Sequence, residues 1–320
     1  MRGSLPEGGK DANTRDATQK GENMAACTLC PRRCGVDRAR ERGFCGMPKE
    51  AVVARAAPHF GEEPPVSGKN GSGTVFFCGC SLGCVFCQNA AIRGEKTGKT
   101  LSADQLADLF LRLAATGVHN LNLVTGTHFT DQIAGALAAV KPRLGIPVLW
   151  NSSGYETVET LGMLEGLVDV YMPDFKYLAP TLASICASAP DYAEIAEAAV
   201  AEMFRQVGPC RFDGGGMLTR GLLIRHLVLP GQRRDSMAIL RRLATIVPVE
   251  SVRLSLLAQY TPDFAKKVPG APDFLLRRVT RFEYDAVCAA ALSLGFVGYS
   301  QTRDSATAAW TPDFTDGGIL

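Results

Sequence analysis

The sequence has no apolar run approaching the ~18 residues that a bilayer span requires, and its N-terminus has no hydrophobic signal core. Charge imbalance is also missing. A net charge of +2 gives no electrostatic reason to expect a nucleic-acid partner. No internal repeat is visible. These absences exclude a membrane span, argue against export and point to the cytoplasm. What is present is ample apolar material: 46% of 320 residues are hydrophobic, enough for one large domain or two ordinary ones. There are also eleven cysteines. Without an export signal, that many thiols point to a reducing compartment and to metal ligation in preference to disulfides.

Seven of those cysteines fall into two groups. The first is the run Cys80-Ser81-Leu82-Gly83-Cys84-Val85-Phe86-Cys87, a C-x3-C-x2-C spacing directly after an apolar segment. Three thiolates can hold three irons of a cubane 4Fe–4S cluster and leave the fourth open to a small molecule. A zinc knuckle or a disulfide cluster are the alternatives. Zinc sites usually take four ligands in two close pairs, whereas this run supplies three, with Cys78 as a possible fourth. The second group is Cys27, Cys30, Cys34 and Cys45, with Pro and Gly between them. It reads as one metal site, either structural zinc or an auxiliary iron–sulfur cluster.

From residue 74 apolar strand-like runs and helical patterns alternate. Strands are expected at 74–77, 121–124, 147–150, 168–172, 222–229 and 252–257, with a short one near 296–299. Helices are expected at about 102–116, 131–141, 157–167, 191–206, 235–246 and 281–294. Ser102 with Gln105 and Asp191 with Glu194 have the pattern of capping boxes. Repeated β/α units imply parallel strands with right-handed crossovers. The expected organisation is a disordered leader at 1–23 ahead of Met24, a cysteine-rich extension and linker at 24–72, a core at 73–300 and a tail at 301–320. In any parallel barrel the chemistry belongs at the C-terminal ends of the strands.

The triplet loop, with Phe86 before its last cysteine, resembles that of the radical S-adenosylmethionine (radical SAM) superfamily. Further segments resemble the branch of pyruvate formate-lyase activating enzyme-like iron–sulfur proteins: the four-cysteine run, Gly71-Ser72-Gly73-Thr74-Val75-Phe76-Phe77, Cys87-Gln88-Asn89, Pro173-Asp174-Phe175-Lys176 and Arg225-His226-Leu227-Val228-Leu229-Pro230-Gly231. The resemblance covers roughly 25–300. It implies an α/β fold, a partial (β/α)6 TIM-like barrel with an N-terminal cysteine-rich metal-binding extension. It implies a 4Fe–4S cluster on Cys80, Cys84 and Cys87 whose open iron chelates SAM. The activity implied is reductive cleavage of SAM to a 5′-deoxyadenosyl radical that abstracts a hydrogen atom. The substrate would be a glycine of a partner glycyl radical enzyme, or else a small molecule or peptide, and the electron would come from a reductant such as flavodoxin or ferredoxin.

The same resemblance directs attention to the strand tips. Phe86 is expected beside the cluster and the adenine. Thr125-Gly126-Thr127 stands where the superfamily usually has a Gly-Gly-Glu-like contact to the SAM amine, and His128 either faces substrate or caps the next helix. Asn151 and Ser153 suit ribose or carboxylate contacts. Asp174 and Lys176 form an Asp-x-Lys pair for the SAM amine and carboxylate. Arg225, inside an apolar strand, needs a partner, and Gln259 with Tyr260 would complete the pocket. Gly126 and Cys78 stand where that branch is expected to have Pro and Ser. Cys78 is by default a non-ligand thiol; where a small-molecule or peptide substrate needs a hydrogen-atom donor, the candidates are Cys78, Cys186 and Cys210, the last on an exposed loop.

Overall fold

The structure is a computed structural model that describes residues 26–94, 97–307 and 311–320. The expected leader at 1–23 lies outside the described residues. The fold is mixed α/β around one sheet with the order β10-β9-β8-β6-β5-β4-β2-β1-β3, with β7 pairing β8 to the side. The strands are β1 (Ala51–His59), β2 (Ser72–Phe77), β3 (Lys99–Leu101), β4 (Leu121–Val124), β5 (Val148–Ser152), β6 (Val170–Pro173), β7 (Arg211–Phe212), β8 (Leu218–Leu227), β9 (Arg253–Leu257) and β10 (Gly298–Ser300).

Every pairing along β2-β4-β5-β6-β8-β9-β10 is parallel. This is the expected partial barrel, and all six expected strands of the core are present. Its helices are α1 (Pro64–Ser67), α2 (Ala103–Ala114), α3 (Thr130–Leu144), α4 (Val158–Gly162), α5 (Pro180–Ala187), α6 (Tyr192–Val207), α7 (Arg233–Ile246) and α8 (Arg281–Ser293). No helix among the described residues is long and apolar enough to cross a membrane. On α2 the stripe Leu106, Leu109, Phe110 and Leu113 is fully buried; at helical spacing, each such side chain contributes roughly 1.5–3 kcal/mol.

The structure departs from the sequence expectations in several places. Residues 51–72, read as a connector, contain β1, which runs antiparallel to β2 and to β3. Its sequence is built of small residues, and period-two alternation is invisible because nearly every position is buried. The tail folds back on it: Ile319 N–H donates to the Ala56 carbonyl at 2.8 Å, and Phe314 packs edge-on against Phe76 at 5.3 Å. The Ser102 capping box forms as expected, but Asp191 makes no side-chain cap. Its carboxylate instead accepts the Tyr155 hydroxyl at 2.8 and 3.0 Å. A capping box not foreseen opens α8 at Thr280 with Glu283. α4 ends at Gly162 and α3 runs through Pro142 to Leu144, so both depart from the expected bounds at Gly and Pro.

Candidate active site

The run Cys80–Cys87 begins where β2 ends, at the C-terminal end of the parallel strands. Two structural features shape it. Gly79 adopts a left-handed φ of 80°, and any Cβ there would lie 2.3 Å from Met47 Cγ, so only glycine permits this turn against the N-terminal segment. On the other side, Gly83 N–H donates to the Ala187 carbonyl at 3.2 Å and Val85 N–H to the Cys186 carbonyl at 2.9 Å. Helix α5, which was not expected, therefore pins the loop. The three thiols open on a cavity of about 190 Å³. Burial pushes Cys80 up to about 12 and Cys87 up to about 11, and neighbouring Cys84 adds to both; Cys84 is raised by burial against the opposing charge of Lys176.

The remaining walls come from the ends of the other strands. Thr125 follows β4, Asn151 to Ser153 end β5, Asp174 and Lys176 follow β6, Arg225 is on β8, and Gln259 and Tyr260 follow β9. Phe86 lines the same cavity and packs edge-on against Tyr260 at 5.6 Å. Thr125 has a φ of 61°, a conformation costing a non-glycine residue about 1–3 kcal/mol. That strain sits on the cavity wall.

A network of buried charges crosses the cavity floor. Lys176 Nζ meets Asp174 Oδ2 at 2.5 Å, and Arg225 Nε meets Asp174 Oδ1 at 3.0 Å. Arg225 also donates to Asn151 Oδ1 at 2.6 Å and to Glu62 Oε2 at 3.1 Å. Glu62 Oε1 accepts from Asn122 at 3.0 Å and Asn151 at 3.1 Å. These side chains are 10–20% exposed, which makes the pairing compulsory. Burial alone would raise Asp174, but Lys176 and Arg225 outweigh it and hold its carboxyl below the ordinary range. Burial has the upper hand at Glu62, which stays above its usual range despite Arg225 and the asparagines.

Several expected residues are not brought to the cavity. Gly126 faces the helical layer, where a Cβ would strike Ile133 and Trp150 at 2.7 and 2.9 Å. Thr127 is buried and donates to Glu156 Oε1 at 3.0 Å. His128 neither meets the cavity nor caps a helix: buried, it hydrogen-bonds the Cys78 carbonyl through Nε2 at 2.7 Å, and burial lowers it to about 4. Cys78 is fully buried with its Sγ 3.6 Å from Thr97 Oγ1. Cys210 lies near the start of β9, donating its thiol to the Leu222 carbonyl at 3.3 Å while its N–H reaches the Ser251 carbonyl; it is half-buried, not on an exposed tip. Cys186 is buried on α5, beside the triplet loop but off the cavity wall. None of the three thiols expected as donors therefore faces the cavity.

Four residues that hold the site were missed. Glu62 was hidden in a segment read as linker, and two adjacent carboxylates before Pro64-Pro65 were the available signal. Glu156 is buried and takes hydrogen bonds from Thr127, Trp150 and Ser152, tying the tips of β4 and β5. The fully buried Tyr192 hydroxyl accepts the Lys176 N–H at 2.9 Å and reaches the carbonyls of Ser153 and Asp174 at 2.7 and 2.8 Å. Tyr177 is fully buried beside Cys84, and its hydroxyl reaches the Cys84 thiol with no nitrogen or oxygen partner among the described residues. Isolated tyrosines in helical or loop sequence give no pattern that marks such roles.

The N-terminal group lies off both cavities, with Cys30 buried and Cys27, Cys34 and Cys45 half-buried. Cys27, Cys34 and Cys45 all lie within electrostatic reach of Cys30, whose thiol burial pushes up to about 11. Arg32 latches this segment to the triplet loop, donating to the carbonyls of Ser81 at 2.8 Å, Ser188 at 2.5 Å and Ala187 at 3.2 Å and lying 3.8 Å over the Phe44 ring. Arg38 is buried and donates to the carbonyls of His128 and Pro48.

A family model, the radical SAM superfamily, matches residues 74–243, more than half of the chain. The chain belongs to the radical SAM superfamily. An uncharacterized protein of Methanocaldococcus jannaschii is 38% identical over 161 residues, covering 47% of this chain and 45% of that protein. The chain thus matches about half the length of this curated relative. A solved spore photoproduct lyase shares the fold at 10% identity and a TM-score of 0.50, over 70% of this chain and 74% of that one. A radical SAM methyltransferase from Sphaerobacter thermophilus overlaps more loosely, at 18% identity and a TM-score of 0.46, over 73% of this chain and 69% of that one.

Membership in the radical SAM superfamily implies a 4Fe–4S cluster and SAM. The chemistry around the triplet fits such a group. Three thiols of one loop line a single cavity beside a lysine, and the Tyr177 hydroxyl stands beside Cys84. Among the described residues, no three Cys, His, Asp or Glu side chains surround a single-ion site; a cubane asks instead for one thiolate on each of three irons. Bound iron promotes the thiolate form.

Proposed function

We propose that the chain is a radical SAM oxidoreductase in which Cys80, Cys84 and Cys87 hold the cluster and the 190 Å³ cavity takes SAM. The observation that carries this reading is the placement of Asp174, Lys176 and Arg225 on the wall facing the triplet. A 4Fe–4S cluster held there would supply the electron that cleaves SAM to a 5′-deoxyadenosyl radical. Lys176 offers its ammonium to the SAM carboxylate, and Asp174, held ionised by two cations, offers acceptor oxygens to the SAM amine. Asn151 and Ser153 stand at the tip of β5 for the ribose, Phe86 and Tyr260 offer an apolar wall for the adenine, and Thr125 and Gln259 complete the enclosure. Gly126 and Thr127 shape the wall from behind through Trp150 and Glu156. Cys27, Cys30, Cys34 and Cys45 hold a second metal with a structural role, because neither cavity reaches them.

The substrate side favours a small molecule or a peptide side chain over an activase role. A second cavity of about 580 Å³ adjoins the first, sharing Asn151, Arg225 and Gln259 as lining. A glycine of a partner glycyl radical enzyme has no side chain with which to use a polar chamber of that size. The deciding experiment is anaerobic: reconstituted protein, SAM and a strong reductant are combined and 5′-deoxyadenosine is quantified, with Cys84→Ala alongside. Product that depends on Cys84 is the expected result, and its absence from a protein with an intact cluster overturns the reading. A glycyl-radical EPR doublet on a partner protein would restore the activase role.

A further inference from the structure

Among the described residues, the 580 Å³ chamber contains an acid with no direct ion pair: Glu63, whose carboxylate takes a hydrogen bond from Ser255. Glu63 is only 8% exposed and lines the chamber, yet its Oε2 has no hydrogen-bond partner. Asn89, which lines both cavities, likewise leaves its Oδ1 unpartnered. Both orphaned atoms are acceptors, so what they lack is a donor. The charges point the same way. Among the described residues, the titratable side chains lining the chamber are His59 from β1, Glu62 and Glu63 from the following loop, Arg225 from β8 and Tyr299 from β10. Arg225 is already committed to Asp174 and Glu62, and Lys176 to Asp174. Among the described residues, the joined cavities therefore set Asp174, Glu62 and Glu63 against Lys176 and Arg225, and Glu63 is the carboxylate left without a direct ion pair. His59 does not fill the gap, since burial and Arg55 hold its pKa below the usual value and leave the ring neutral.

We propose that this chamber binds a cationic end of the substrate, an amine or a guanidinium, through Glu63 with Asn89 as a second acceptor. The inference rests on reading the neighbouring cavity as the SAM site, and it specifies the substrate class of that same centre. Burial raises the proton affinity of Glu63 in the empty chamber, and an incoming cation stabilises the ionised form by replacing the water that burial removed. Placement beside Arg225 gives the cation a fixed position relative to the cavity mouth, since Glu62 and Arg225 are tied to the strand ends.

The test uses the reconstituted full chain and calorimetry without reductant, so that no turnover occurs. The probes are pentylamine and agmatine, with pentanol as the uncharged match for pentylamine. The amine should bind at least about tenfold more tightly than the alcohol, Glu63→Gln should remove most of that preference, and Glu63→Asp should retain part of it. Saturating SAM should leave amine binding in place. Equal binding of amine and alcohol, no detectable amine binding, an unchanged preference in Glu63→Gln, or displacement of the amine by SAM would each overturn the proposal. Where Glu63→Gln shows no cooperative unfolding transition, the ratio of amine to alcohol on the native chain decides alone. Reductive SAM cleavage by the same preparation separates failure of this inference from failure of the reading beneath it.

Discussion

The two cysteine groups contain the same residue type within a few ångströms of a shared boundary, and their surroundings differ completely. Cys80, Cys84 and Cys87 open on a cavity whose opposite wall holds a lysine, an arginine and an aspartate. Cys27, Cys30, Cys34 and Cys45 line neither cavity, and Arg32 and Arg38 beside them donate to backbone carbonyls. Spacing alone makes both of them candidate metal sites. On the proposed reading, access to a cavity separates the reactive centre from the structural one. Arg32 makes the two interdependent, because it fastens the N-terminal group to the Ser81 carbonyl inside the triplet loop.

The largest expected effect breaks this comparison most directly. Cys84→Ala should lower 5′-deoxyadenosine formation by more than about 100-fold, while Cys30→Ala should lower the unfolding midpoint and leave formation within about tenfold of the native chain. Equal losses in the two variants would mean that the N-terminal group is not merely structural. The next contrast sets one arginine against another. Arg225→Ala strands Glu62 and Asp174 without their shared cation and should cost about 3–5 kcal/mol in denaturant unfolding. Arg32→Ala removes charge-assisted bonds to carbonyls that water can reach in part, so about 1.5–3 kcal/mol is expected. An Arg32 cost exceeding that of Arg225 would move the mechanical centre of the molecule into the N-terminal segment.

The sequence shows the parallel core plainly because its strands are continuous apolar runs broken by helices with amphipathic stripes. Cys80 to Cys87, Asp174, Lys176, Arg225 and Gln259 were legible because chemistry-bearing residues at strand ends have few other roles in such a fold. β1 was not legible, since a strand rich in alanine and valine, buried along nearly all its length and carrying Pro58 before its last residue His59, looks like a connector. Glu62 and Glu63 were lost with it: their meaning depends on β1 delivering them to the far side of the barrel mouth. Gly126 and Thr127 show the opposite error. Their position in the chain follows a strand end, but the chain turns there, and only Thr125, at positive φ, remains on the cavity wall. Cys78 and Cys210 illustrate that a thiol near a motif in sequence says nothing about which way its Sγ points.

The smallest expected effect concerns two buried carboxylates on neighbouring strand tips, and it distinguishes them by sign. Asp174 has Lys176 and Arg225 beside it, and they hold its pKa below the ordinary value against burial. Glu156 has three neutral donors but no cation in contact, and burial raises its pKa. For Asp174 the folded pKa is the lower one, so its contribution is present above the unfolded value of about 3.9 and is lost as pH falls through the folded pKa. For Glu156 the folded pKa is the higher one. The folded chain holds its proton more tightly, so stability declines as pH rises from about 4.3 toward the folded pKa, by up to about 1.4 kcal/mol per pH unit. Denaturant unfolding at a series of pH values, read against the native chain, should therefore show Asp174→Asn removing an acid-side loss and Glu156→Gln removing a decline at higher pH. Differences of the same sign would mean that a cation not in contact with Glu156 neutralises it, and that the charge separation between the open mouth and its supporting layer is weaker than the hydrogen bonds indicate.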